Sequence, residues 1–203
     1  MKRIGIFGGS FNPVHLGHTA LAAYICEQGL TDEVWMMVSP QNPLKQNLEL
    51  LDEGIRLEML RLAVVDYPEL KACDFEFHLP RPSYTYHTLQ ALHETYPEYE
   101  FSLIIGEDNW QYFDRWYRHE EIASEHRLII YPRIDKEQDV TGKLNDPSLR
   151  IEGPQSTTVP SSASFLPYSS TEVREAIAKG EPYEHMLHPT VAEYIKQHNL
   201  YKQ

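Results

Sequence analysis

Short apolar runs alternate with longer stretches of helical period along most of the chain. Apolar runs bounded by turn residues are typical of strands buried on both faces, and helical stretches between them are typical of crossovers in a parallel sheet. The pattern therefore predicts an α/β fold. The predicted strands are 3–7, 34–39, 72–77, 101–105 and 127–131, and the predicted helices are 16–28, 52–66, 86–95, 119–124, 171–179 and 190–198.

The helical stretch 52–66 shows the period most clearly. Ile55, Met59, Leu62 and Ala63 recur at the spacing of one helix face, which we expect to pack on the sheet. Two other stretches are predicted surface loops: 135–147 is polar and charged, and 153–164 is rich in Ser, Thr and Pro. Neither is long enough to require a second domain. We therefore expect one domain over residues 1–203, with a C-terminal helical portion from about residue 168.

Composition restricts the partners. The 203 residues carry 30 acidic and 18 basic side chains, a formal net charge of −12. Binding DNA or RNA requires many Lys and Arg side chains, so we expect no nucleic-acid partner. No apolar run approaches the roughly 18 residues of a membrane span, and the apolar stretch at 4–7 is too short for a signal peptide. Cys26 and Cys73 fit reduced thiols, so we expect a cytoplasmic protein without a membrane partner.

The first predicted strand ends in the segment GGSFNPVHLGH, residues 8–18. Gly8 and Gly9 let the backbone turn tightly and bring its N–H groups close to a ligand. The helix that begins near Leu16 points its positive dipole end at the same place. His15 and His18 are three residues apart, so at the helix start they can donate to one phosphate group. The segment indicates a phosphate site.

Other interpretations of this segment stay open on these residues alone. A glycine pair after a strand is often a plain turn, and a histidine pair is often a surface or core feature. Zinc binding by the histidines is less favoured, because the segment lacks the Glu of HExxH and a nearby cysteine cluster. The segment also differs from the dinucleotide fingerprint GxGxxG and from the P-loop, which removes the main support for hydride transfer and P-loop hydrolysis.

A second candidate phosphate site is the segment SSTEVREAI, residues 169–177. Ser169 and Glu172 have the spacing of a capping box, which predicts a helix start. The first N–H groups of that helix can bind an anion, and Arg174 can add a charge-assisted hydrogen bond. The alternative is an ordinary capped surface helix.

Together the two segments resemble the HxGH and SSTxxR motifs of the nucleotidyltransferase superfamily. From Ile4 to Tyr201 the chain is similar to the bacterial nicotinate-nucleotide adenylyltransferases. The similarity includes SPQNPLK, PSYTYHTL, GED, RWY, YPR and the closing LHPTVAEYIKQHNLY. The resemblance implies a Rossmann-like, doubly wound parallel sheet of about five or six strands with helices on both faces, of the nucleotidyltransferase type.

The resemblance also implies a reaction in NAD biosynthesis: transfer of AMP from ATP to nicotinate mononucleotide, giving nicotinate adenine dinucleotide (deamido-NAD) and pyrophosphate. The implied catalytic residues are His15, His18 and Arg174. The implied ATP-binding residues are Gly8, Gly9, Ser10, Phe11, His18, Gly106, Asp108, Ser169, Ser170, Thr171 and Arg174. The implied acceptor-binding residues are Lys45, Thr85, Trp116, Tyr117 and Arg133. Mg²⁺ is expected to arrive with ATP, and no metal ligands are expected in the protein.

The acceptor residues suit a pyridine nucleotide. Trp116 can stack on the flat nicotinate ring, while Thr85 and the backbone around Trp116 and Tyr117 can donate hydrogen bonds to its carboxylate. The alternative for the two aromatic residues is a core cluster. Two positions differ from the usual family pattern: Asn12, where the family usually has Asp, and Leu44, where it usually has His.

Three rival functions remain at this point. Another adenylyltransferase, specific for nicotinamide mononucleotide or phosphopantetheine, would share the ATP site. A regulatory protein would bind ATP without releasing pyrophosphate, and a histidine-based hydrolase would contain zinc. The sequence leaves homo-oligomerisation open.

Overall fold

Seven strands form one sheet at the centre of the molecule, for which the computed structural model describes residues 1–40, 50–132, 149–152, 157–159 and 166–202. The strands are β1 (Lys2–Gly9), β2 (Glu33–Val38), β3 (Leu70–Cys73), β4 (Tyr99–Gly106), β5 (Arg127–Tyr131), β6 (Leu149–Glu152) and β7 (Thr157–Val159). Their order is β3-β2-β1-β4-β5-β6-β7. Strands β1 to β5 pair in parallel, and β6 and β7 add an antiparallel edge.

Helices connect the parallel strands. They are α1 (Leu16–Glu27), α2 (Glu53–Ala63), α3 (Thr85–Thr95), α4 (Glu107–Trp110), α5 (His119–Glu125), α6 (Ser170–Lys179) and α7 (Pro189–Gln197). Short 3₁₀ turns lie at Phe75–His78, Phe113–Arg115 and Glu184–Met186. Within the described ranges, no helix has the length and apolar character that crossing a membrane requires.

The strands are apolar on both faces because helices cover both. Alternate side chains of a strand point to opposite faces, so Ile4 and Ile6 of β1 join one core, and Phe7 joins the other. The core around Phe7 is completed by α1, α2, α6 and α7, and the core around Ile4 by α3 and α5. The predicted doubly wound parallel sheet of about five or six strands, with helices on both faces, is confirmed in its five parallel strands, and β6 and β7 extend it to seven.

Two sequence predictions about strands are wrong. The strand predicted at 72–77 is β3, which begins at Leu70 opposite Val34, while Phe75–His78 folds into a 3₁₀ turn. The loop predicted at 153–164 contains β7, whose partner β6 was not predicted either. Both edge strands depend on pairing with a neighbour that the local sequence does not reveal.

The strand order reverses between β1 and β4, which lie side by side with Phe7 opposite Ile104. In open α/β sheets, ligands bind in the crevice outside the carboxyl ends of the strands at such a reversal. The glycine pair of the first predicted phosphate segment ends β1, and the GED segment begins at the end of β4, so both lie at this crevice.

Candidate active site

Glycines end both strands that border the crevice. A Cβ on Gly9 would lie 3.0 Å from the ring of Phe11, and one on Gly106 would lie 2.5 Å from Oδ1 of Asp108. Gly8 faces open space. Larger residues at positions 9 and 106 would therefore displace the side chains that follow each strand. Because Gly106 has no side chain, Asp108 can fold back over the end of β4.

His15 and His18 lie together at the start of α1. His15 is the N-cap residue and is 8% exposed, and its ring stacks on that of His18 with the centroids 3.6 Å apart. The backbone N–H of His15 donates to Nδ1 of His18 at 3.2 Å, where a capping box ordinarily has a Glu oxygen. An Nδ1 that accepts carries no proton in the neutral ring, so Nε2 of His18 carries it.

Phe11 supports His18 from inside the protein. Its side chain is buried, and its ring meets the His18 ring edge-on at 5.1 Å. Phe11 also has a φ of +46°, a left-handed conformation that a non-glycine residue rarely adopts. Because the ring belongs to the core, only the backbone of this residue is placed to meet a ligand.

Helix α6 begins against the turn that precedes α1. Ser169 caps α6 by a capping box with Glu172, which confirms the predicted helix start. The Ser170 hydroxyl donates to the carbonyl of Pro13 at 2.7 Å, and Nη1 of Arg174 donates to the carbonyl of Asn12 at 2.7 Å. The two predicted phosphate segments, about 160 residues apart in sequence, thus meet at the Asn12–Pro13 turn.

Arg174 also donates from Nη2 to the hydroxyl of Thr171 at 3.2 Å. A guanidinium has five N–H groups in a fixed fork, so these two contacts orient the group and leave donors for a phosphate. The N-termini of α1 and α6 add the positive ends of two helix dipoles. The arrangement can bind an anion of high charge in a protein whose net charge is −12.

Arg56 is a buried residue of this region that the sequence did not single out. Its side chain projects from α2, is 1% exposed, and donates to four backbone carbonyls. The acceptors are Ser10 at 2.6 Å, Ser39 at 2.9 Å, Leu51 at 2.9 Å and Pro40 at 3.1 Å. Burial lowers the pKa of Arg56, with nearby acidic groups opposing the shift. One cation therefore joins the ends of β1 and β2 to α2.

The predicted acceptor residues Thr85 and Tyr117 lie near the N-terminus of α3, where Thr85 is the first helical residue. Tyr117 is 49% exposed, and its ring lies 5.2 Å from that of Tyr84. Trp116 packs on Phe113, and its backbone N–H donates to the Phe113 carbonyl at 3.0 Å. This N–H is therefore engaged within the protein, in contrast to the donor role predicted for the backbone there.

Arg118 fixes the chain directly after Tyr117. It has a φ of +54°, and its guanidinium lies 4.5 Å from the centroid of the Tyr86 ring. It also donates to the Tyr86 hydroxyl at 3.1 Å and to Glu121 at 2.7 Å. Left-handed backbone at a non-glycine residue persists when its surroundings enforce it. These contacts hold the Trp116–Tyr117 segment beside α3.

Glu76 is a buried acid between β2 and α3. It is 7% exposed and accepts a hydrogen bond from the Thr88 hydroxyl at 2.9 Å. Burial raises the pKa of the Glu76 carboxyl, and hydrogen bonds from Thr88 and Ser39 only partly oppose this. The charged form therefore costs free energy in the folded protein.

We expect Glu76→Gln to gain stability relative to the wild type as pH rises. A carboxyl whose pKa is higher in the folded state contributes stability that is fully present below its unfolded pKa of about 4.5 and is lost as pH rises through the folded value. Urea unfolding between pH 4 and pH 8 measures the difference, with Glu98→Gln on the surface as control. A difference that does not vary with pH would contradict the expectation.

Two predicted acceptor residues, Lys45 and Arg133, lie outside the described residues, as does Leu44. Among those that the structure describes, no group of three or more His, Cys, Asp or Glu side chains is arranged to hold a metal ion. The sequence missed Arg56, Glu76 and Arg118, because an isolated charged residue in a helix or turn resembles a surface residue.

The fold and the paired helix ends define a cytidylyltransferase-like protein: residues 6–176 match the family model described as Cytidylyltransferase-like. A nicotinate-nucleotide adenylyltransferase of Bacteroides thetaiotaomicron is 50% identical over 196 residues, covering 97% of this chain and 92% of the relative. One of Flavobacterium johnsoniae is 40% identical over 200 residues, covering 98% and 99%. The chain therefore belongs to the nicotinate-nucleotide adenylyltransferase family.

A solved structure shares the fold. The nicotinic acid mononucleotide adenylyltransferase of Plasmodium falciparum, complexed with NaAD, has a TM-score of 0.75 and 23% identity, and the match covers 99% of this chain and 98% of that chain. This similarity extends the agreement in fold to nearly the whole length of both proteins.

Proposed function

We infer that this protein transfers AMP from ATP to nicotinate mononucleotide, forming nicotinate adenine dinucleotide and pyrophosphate in NAD biosynthesis. The observation that carries this inference is the meeting of the two helix starts predicted to bind phosphate, at the Asn12–Pro13 turn. It occurs in a chain that is 50% identical, over almost its full length, to a nicotinate-nucleotide adenylyltransferase. We propose that the enzyme acts in the cytoplasm on small molecules, with Mg²⁺ entering as the ATP complex.

The chemistry needs no nucleophile from the protein. An oxygen of the mononucleotide phosphate attacks the α-phosphorus of ATP in line, the new P–O bond forms, and the bond to pyrophosphate breaks. The attacking oxygen is already an anion, so no general base is required. The protein contributes by aligning the two phosphates and stabilising the charge of the transition state.

His18 is the proposed donor to the α-phosphate. Because Nδ1 accepts from the backbone of His15, the proton of the neutral ring is on Nε2. Phe11 and the stacked His15 ring limit the orientations of the imidazole. A donor held in this way needs little reorganisation as charge develops on the transferring group.

Arg174 and the N-termini of α1 and α6 are proposed to hold the remaining phosphates. Gly8, Gly9 and Ser10 supply backbone close to the triphosphate, and Ser169 to Thr171 supply the first turn of α6. Gly106 and Asp108, at the end of β4, are proposed to lie near the nucleotide ribose or its metal ion. The Mg²⁺ carried by ATP would supply positive charge that offsets the charge of the phosphates.

The proposed acceptor pocket lies at the N-terminus of α3, with Thr85, Trp116 and Tyr117 around the pyridine ring. A helix N-terminus favours a carboxylate, because its unpaired N–H groups and dipole both attract negative charge. The acid form of the mononucleotide is therefore proposed as the better acceptor. Lys45 and Arg133 are proposed to contact it by their family positions alone.

A direct assay tests the function. Purified protein is incubated with ATP, Mg²⁺ and nicotinate mononucleotide, and both pyrophosphate and dinucleotide are measured. We expect the two products in equal amounts. Parallel reactions with nicotinamide mononucleotide and with phosphopantetheine identify another acceptor, and ATP binding without pyrophosphate would indicate a regulatory protein instead.

Trp116→Ala should raise the apparent KM for nicotinate mononucleotide about tenfold or more. Stacking of a base on an aromatic side chain contributes roughly 1–3 kcal/mol, and about 1.4 kcal/mol corresponds to a factor of ten. The KM for ATP should change little. Trp110→Ala is the matched control, since Trp110 also packs on Phe113 but precedes it in the sequence. An unaltered KM for the mononucleotide would remove Trp116 from the pocket.

A further inference from the structure

The Asn12–Pro13 turn has a third partner, which comes from the C-terminal end of the chain. The hydroxyl of Tyr201 donates to Oδ1 of the Asn12 side chain at 2.9 Å, across 189 positions of sequence. The Asn12 side chain is 2% exposed, so this contact is made inside the protein. Arg174 holds the main-chain carbonyl of the same residue. The side-chain oxygen of Asn12 is thus held by the C-terminal segment, and its main-chain oxygen is held by α6.

The direction of this hydrogen bond is fixed by its neighbours. The backbone N–H of Leu51 also points to Oδ1 of Asn12, at 3.4 Å, and a backbone N–H can only donate. Oδ1 is therefore the acceptor, and the Tyr201 hydroxyl is the donor. Burial raises the pKa of Tyr201 well above its ordinary value, against the opposing effect of Arg174 and Arg56. The hydroxyl keeps its proton throughout the neutral range.

Helix α7 ends in a Schellman-type cap, after which the chain turns toward Asn12. After α7, Asn199 has a φ of +49° and Tyr201 a φ of +61°, both in the left-handed region. The N–H of Leu200 reaches back to the carbonyl of Ile195 at 3.0 Å. Asparagine tolerates this region at the end of a helix, whereas a tyrosine adopts it where the surrounding structure enforces it. The C-terminal segment is bent so that Tyr201 faces the turn.

We propose that Tyr201 is a positioning residue for adenylyl transfer, because its hydroxyl holds Asn12 and thereby aligns the turn that leads into His15 and His18. The proposal rests on the proposed function. Tyr201 acts through Asn12 and touches neither substrate. Without the hydroxyl, the Asn12 side chain can reorient, and the carbonyl that orients Arg174 loses its fixed position.

Tyr201→Phe tests the proposal, because it removes the hydroxyl and keeps the ring. We expect kcat to fall about fivefold to tenfold, with the KM for nicotinate mononucleotide unchanged. Binding of an ATP analogue with a methylene bridge between the α- and β-phosphates, measured by calorimetry, should weaken about threefold. Tyr194→Phe is the matched control: it removes a hydroxyl from α7 that does not hold the turn, and both quantities should stay at their wild-type values.

A double-mutant cycle with Asn12→Ala separates positioning from general stability. If Tyr201 acts through Asn12, Tyr201→Phe should cost no further activity in the Asn12→Ala background. The proposal is overturned if Tyr201→Phe turns over and binds like Tyr194→Phe, or if it loses equal activity in both backgrounds. A wild-type protein that releases no pyrophosphate would refute the proposed function instead, and the binding comparison would still decide the role of Tyr201.

Discussion

His18→Ala is expected to lower kcat by about two to three orders of magnitude. Removal of one preorganised donor to a developing oxyanion typically costs a factor of about 10²–10³, and the fixed Nε2 proton of His18 is such a donor in the proposed mechanism. ATP affinity should change less than tenfold, because Arg174 and two helix ends remain. Pyrophosphate release under saturating substrates and calorimetry with ATP measure the two quantities.

Replacing His18 by Gln or by Asn tests which ring nitrogen donates. Gln places an amide N–H near the position of Nε2, whereas Asn places it near Nδ1, which accepts from His15. We expect His18→Gln to retain more activity than His18→Asn. His78→Ala, at an exposed position, serves as the control for the general effect of losing a histidine. A full rate of pyrophosphate release from His18→Ala would remove this residue from the mechanism.

Arg56→Met should lower the free energy of unfolding by about 3–5 kcal/mol. Substitution removes a buried cation whose N–H groups satisfy four backbone carbonyls, and buried carbonyls left without donors are costly. Methionine fills much of the same volume, so the loss comes mainly from the hydrogen bonds. With a urea dependence of about 2–3 kcal/mol per M for a protein of this size, the unfolding midpoint should fall by about 1–2.5 M.

Arg61→Met is the matched control for Arg56→Met. Arg61 lies on the same helix, its side chain is 55% exposed, and its contacts with Glu58 and Asp74 are 3.5 and 3.7 Å long. Exposed ion pairs contribute little, so the change should be about 0.5 kcal/mol or less. Equal midpoints for the two variants would show that the buried hydrogen bonds of Arg56 add nothing to stability.

The elements that the sequence predicted well have local causes. The strand and helix around the glycine pair follow from apolar runs and from backbone freedom, and the start of α6 follows from Ser169 and Glu172, which lie three residues apart. These features need no information from distant parts of the chain. Local sequence therefore predicts each phosphate segment, whereas their meeting in space depends on the fold.

The features that the sequence did not reveal depend on distant partners. In α2 the predicted face is confirmed at Met59 and Ala63, which are buried, while Ile55 and Leu62 are only partly buried. The pattern left Arg56 off the buried face because it is charged, and its partners are carbonyls of loops rather than acids of known spacing. The same holds for Tyr201 and Asn12, which no local pattern connects.

The contact between Asn12 and Tyr201 also has a consequence during synthesis of the protein. The turn that follows the first strand leaves the ribosome early, but its partners Ser170, Arg174 and Tyr201 are synthesised 157 to 189 positions later. A nascent chain with all five parallel strands would still lack them. A chain that stops before α6 would therefore lack part of the proposed ATP site.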